Sequence, residues 1–99
     1  MLVHTVFFWL KKSAPRDAAR KLAADALKYL NTPTVAHLWA APPAKTPPRD
    51  VVDSTYDVGL SVVFKTVADH DAYQEHPDHM TFIARNKKHW QRVVVYDFQ

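Results

Sequence analysis

The sequence predicts an α+β fold with one four-stranded antiparallel sheet. Two observations carry this. Hydrophobic patterns follow one another in the order strand, helix, strand, strand, helix, strand. The first and third of the strand segments are apolar on both faces or alternate cleanly, as strands inside a sheet do.

Residues 2–10 are rich in aromatic and branched side chains, and Lys11-Lys12-Ser13 closes the run. Leu2, His4, Val6, Phe8 and Leu10 share one face, and Val3, Thr5, Phe7 and Trp9 the other. Pro15 suits a helix start. Ala19, Leu22, Ala23, Ala26, Leu27 and Leu30 then recur at helical spacing, with Arg20, Lys21, Asp25 and Lys28 outward. Pro33 stops that helix near Asn31. Residues 34–41 predict a short strand. Residues 42–55 hold four of the seven prolines, so they predict a semi-extended surface loop.

In residues 56–65 Tyr56, Val58, Leu60, Val62 and Phe64 are expected on one face. Gly59, the only glycine, marks a bulge or a close approach of another group. Residues 68–75 predict a short helix, broken at His76-Pro77 and restarted by Pro77. Residues 77–89 carry Met80, Phe82, Ile83, Asn86 and Trp90 on one side, and residues 92–98 end the chain as a strand. This order is the ferredoxin-like βαββαβ pattern, with both helices on one face of the sheet. The other face is also apolar. In a 99-residue chain the simplest cover for it is a second copy, which predicts a homodimer through the sheet face.

Composition narrows the function. There are no cysteines, which excludes disulfides, cysteine metal sites and thiol nucleophiles. The net charge of +3 is small and scattered, so no nucleic-acid partner is expected. No apolar run approaches the roughly 18 residues of a membrane span. The opening segment reads as a strand rather than a signal peptide, and a cytoplasmic protein with no membrane partner is expected.

Six histidines stand out. His76-Pro77-Asp78-His79 falls at a helix start, where the helix dipole disfavours a second positive charge and biases imidazole toward its neutral, proton-accepting form. His79 is three and four residues from Phe82 and Ile83, which turns it inward. His4, between Leu2 and Val6, is expected under cover, and Tyr73 within reach of the same region. Each of these residues also reads as a satisfied structural polar group, and His76 as a turn or cap. His37, His70 and His89 read as surface or edge residues with no role. A His76/His79 metal pair is disfavoured because Pro77 makes His76 non-helical, so no metal and no cofactor are expected. Arg85, Lys87, Lys88 and Arg92 read as a solvated face.

Three segments resemble a known family. They are Val3-His4-Thr5-Val6 with Lys11, the stretch Tyr73-Gln74-Glu75-His76-Pro77-Asp78-His79, and Trp90 with Val93-Val94-Val95-Tyr96-Asp97-Phe98. Together they resemble the stress-responsive dimeric α/β-barrel (Dabb) family. The resemblance implies a ferredoxin-like monomer whose sheet pairs with a second copy into a dimeric α/β barrel. A few plant members are polyketide cyclases working without metal or organic cofactor. In them the second histidine of His-Pro-x-His is the base, which here is His79. The strand-1 histidine and the tyrosine before His-Pro, here His4 and Tyr73, hold substrate. Those cyclases also use a tyrosine on the first helix, where this chain has Ala26 and Leu27 and Tyr29 is the nearest phenol.

Two functional readings follow. One is a pocket for an apolar or aromatic carbonyl-type molecule between helices and sheet. Phe8, Phe82, Ile83 and Trp90 would line it and His79, His4 and Tyr73 would be catalytic, in cyclase- or isomerase-like acid/base chemistry. The other is a non-catalytic stress-responsive or accessory dimer with structural histidines.

Overall fold

A computed structural model describes all 99 residues. The chain runs β1 (Leu2–Leu10), α1 (Ala18–Tyr29), β2 (His37–Ala41), β3 (Val58–Phe64), α2 (Val67–Glu75), α3 (Pro77–Asn86), a 3₁₀ turn (Lys87–His89) and β4 (Trp90–Phe98). The four strands form one sheet in the order β2-β3-β1-β4, and every neighbouring pair is antiparallel. This is the ferredoxin-like fold that the pattern predicts. No helix is long and apolar enough to cross a membrane.

Register decides what each face carries. His4 stands opposite Val62 on one side and Asp97 on the other, and Phe7 opposite Gly59 and Val94. Leu2, Val6, Phe8, Val58, Leu60, Val62 and Phe64 are buried against the helices, with Leu22, Ala26 and Leu30 of α1 and Tyr73 and Phe82 of the later helices closing the core. The opposite face stays open. Trp39, Tyr96 and Phe98 lie on it with 60%, 60% and 61% of their surface exposed.

Four expectations need correction. Tyr56 does not share the face of Val58 and Leu60. β3 begins only at Val58, and the Tyr56 ring folds onto the open face, 4.8 Å from the Phe7 ring and 6.4 Å from that of Trp9. Met80 and Leu27 are exposed rather than inward, because each helix buries a narrower stripe than the apolar pattern offers. Asp25 and Arg85 are not simply solvated. Arg85 Nε donates to Asp25 at 2.9 Å and Asn86 Nδ2 at 3.0 Å, tying α1 to α3. Burial pushes the Asp25 carboxyl up, but these hydrogen bonds and the Arg85 charge outweigh it and leave it lowered. His70 is not a surface residue, as its surroundings below show.

Gly59 marks a close approach, not a bulge, since β3 pairs with β1 without interruption. A Cβ there would lie 3.3 Å from the Tyr56 ring and 3.6 Å from Phe7. The proline-rich loop returns along the end of β1. Trp9 Nε1 donates to Thr55 Oγ1 at 3.0 Å, and the Leu10 N–H donates to the Asp57 carboxylate at 2.7 Å.

Candidate functional site

The site begins with a break between two helices. α2 is capped by Thr66, whose hydroxyl oxygen accepts from the Asp69 N–H at 3.1 Å. It ends because Pro77 has no N–H to continue the ladder, and His76 before it is extended at φ −67°, ψ 137°. His76 then caps α3, its Nδ1 accepting from the Asp78 N–H at 3.0 Å. That bond occupies the His76 Nδ1 lone pair.

Three residues on, His79 turns toward the sheet. Its ring lies 4.7 Å from that of Tyr73, which packs 5.0 Å from Phe64 and is 1% exposed. His79 Nδ1 is buried with no hydrogen-bond partner. Desolvation, reinforced by the nearby His4 and His70, holds the imidazole pKa below its ordinary value. The ring is thus neutral near pH 7. Burial pushes the Tyr73 phenol well up, so it stays protonated and can only donate or accept a hydrogen bond.

His4 projects from β1 on the same side, its ring 6.0 Å from Tyr73. Its Nδ1 lies 2.5 Å from Asp97 Oδ1 across the β1–β4 pair. An ionised carboxylate only accepts, so this Nδ1 carries a proton and donates it to Asp97. The His70 ring lies 5.1 Å from that of His4, with its side chain 17% exposed.

All seven residues singled out from the sequence border one cavity of about 180 Å³ between α2, α3 and the sheet. His4, Tyr73 and His79 supply polar atoms, and Phe8, Phe82, Ile83 and Trp90 supply apolar wall, with Gln74 also at its rim. Phe8 packs 5.0 Å from the Trp90 ring and 6.2 Å from that of Phe82. Trp90 Nε1, like His79 Nδ1, is buried without a partner. Two orphaned polar atoms on residues lining one cavity leave hydrogen-bonding capacity for a guest or ordered water to satisfy. Sequence reading missed Asp97 and His70. Both were signalled by spacing. Asp97 continues the face of Val93 and Val95, and His70 precedes Tyr73 by three residues on one helix.

Fold and cavity define a small ferredoxin-like domain with a mostly apolar, histidine-edged pocket, partly open to solvent past Val93 and Val95, on its helical side. The chain belongs to the stress responsive A/B barrel domain (Dabb) family, which it matches over residues 2–99. Among solved structures it is similar to a Dabb protein from Mesorhizobium loti, at 27% identity and TM-score 0.77, covering 99% of this chain and 94% of that one. It is also similar to a dimeric ferredoxin-like protein of unknown function from Thermobifida fusca, at 17% identity and TM-score 0.81, covering 98% and 88%. A third is the hydroxynitrile lyase of Passiflora edulis, at 19% identity and TM-score 0.75, covering 98% and 90%. At these last two identities the likeness is one of fold alone. No curated protein sequence matches the chain.

Proposed function

We propose that the protein is a homodimer that binds a small apolar or aromatic carbonyl compound in the chamber beside His79, with His79 as general base. The carrying observation is the pair of unpartnered buried atoms, His79 Nδ1 and Trp90 Nε1, on residues that line a mostly apolar cavity. Chamber size limits the guest. An apolar cavity of about 150 Å³ takes up benzene, so about 180 Å³ fits a single ring with one short substituent. A neutral imidazole takes the proton alpha to the carbonyl and returns it to the product. Tyr73 and His4 orient the oxygen as it gains charge. The Passiflora neighbour supports an enzymatic use of this fold.

Dimerisation is supported by the exposed Trp39, Tyr96 and Phe98 on one sheet face and by the dimeric Thermobifida neighbour. In this reading the partners are a small molecule and a second copy, and the small net charge of +3 gives little attraction for nucleic acid. A cytoplasmic site of action fits the lack of cysteine.

A second reading, a non-catalytic accessory dimer, is favoured by the same volume. About 180 Å³ is below the roughly 300 Å³ at which ligand pockets usually begin. Acetophenone separates the two. In ¹H–¹⁵N spectra it should shift the Trp90 indole N–H of the wild type, and His79→Ala should abolish the shift while remaining folded. An unmoved indole resonance at millimolar acetophenone supports the accessory reading.

A further inference from the structure

His4, His70 and Asp97 come from three elements, β1, α2 and β4. Each presents one donor atom, and the three atoms lie within 4.8 Å of one another. No other group of three histidine or acidic side chains in the chain is gathered this way. Bonds of about 2.0–2.2 Å to nitrogen and carboxylate oxygen put neighbouring ligands of one ion some 3–3.5 Å apart.

Two further observations fit. His70 is already prepared as a ligand. Its Nδ1 lies 3.1 Å from the Asp71 carboxylate, which as a pure acceptor keeps the proton on Nδ1. Its Nε2 then meets the Gln74 amide only at 3.5 Å, at the long limit of a hydrogen bond, a contact that an arriving ion would replace. A carboxylate behind the imidazole is the arrangement that orients metal-binding histidines. The second is where the cluster sits. His4 also lines the chamber, and Gln74 stands beside both His70 and the chamber rim.

We infer that His4, His70 and Asp97 form a three-ligand site for a divalent first-row transition cation, open toward the mouth of the chamber. Two imidazoles and one carboxylate suit Zn²⁺, Fe²⁺ or Co²⁺ and are poor for Mg²⁺ or Ca²⁺, which prefer all-oxygen sets. Three protein ligands leave a coordination position for water or a substrate oxygen. Imidazole binds an ion only through an unprotonated nitrogen, so protons compete with uptake. The site does not depend on the base assigned to His79, and it stands even if acetophenone does not bind.

The test is calorimetric titration of EDTA-treated full-length protein with Zn²⁺, alone and in excess Mg²⁺. One Zn²⁺ per chain should bind, with heat that varies with the ionisation enthalpy of the buffer, and Mg²⁺ should not compete. His70→Gln and Asp97→Asn should each weaken binding at least about 100-fold, and Asp71→Asn about 10-fold. His37→Ala and His89→Ala, outside the cluster, should leave it unchanged. Both ligand variants keep His4 in place, and their circular dichroism reports folding separately. Failure of the wild type to bind Zn²⁺ overturns the site. So does loss of binding in His37→Ala or His89→Ala, or full affinity in His70→Gln and Asp97→Asn.

Discussion

Removing the His79 charge site has a signed consequence. Its folded pKa lies below the ordinary 6.5, so the unfolded chain binds the proton more readily. His79 therefore contributes stability that is complete above pH 6.5 and is lost as pH falls through its folded value. Urea midpoints at pH 7.5 and 5.5 should converge in His79→Asn relative to wild type, and an equal pH dependence in both proteins would contradict this. Tyr73 separates packing from chemistry. Tyr73→Ala should cost about 3–5 kcal/mol by emptying space against Phe64, whereas Tyr73→Phe should be near neutral in a chemical melt, since it removes only a hydroxyl that makes no hydrogen bond within the chain. At this scale the sequence was most informative for residues whose neighbours share an element, as His79 does with Phe82. Spacing placed Asp97 on the right face of its strand but did not pair it with His4, because the two are 93 positions apart and only sheet register brings them together.

Among elements, the hinge of interest is His76. Its imidazole serves α3 as an N-cap, so His76→Ala should cost about 1 kcal/mol and His76→Asn should recover most of it, read from denaturant midpoints. Recovery by Asn would tell a cap from a chemical role. Element type and order were legible along the whole chain because the periodicities are strong and prolines punctuate them. Two element-level details were not. Tyr56 breaks the alternation of β3 because the loop, not the strand, positions it. Arg85 looked solvated because its partner Asp25 is on another helix, 60 positions away.

For the whole molecule, the open sheet face makes the quantitative prediction. Sedimentation should give twice the 11.4 kDa chain mass at micromolar concentration. Tyr96→Lys, which places a charge amid exposed aromatics, should shift the protein to the single-chain mass without loss of helix signal. A wild type that sediments as a single chain would remove the dimer. This face was visible in the sequence as apolar residues on both sides of β1, since helices can cover only one of them.

The wall of the chamber is assembled from two short helices that share no hydrogen-bond ladder, because backbone pairing stops at His76. Tyr73 and Gln74 stand on one piece, His79 and Phe82 on the other. α2 is pinned separately, by the Thr34 hydroxyl donating to the Asp69 carbonyl at 2.8 Å. What couples the two pieces is side-chain packing, the Tyr73 ring lying 4.7 Å from that of His79. A change at either ring therefore reshapes both halves of the wall at once.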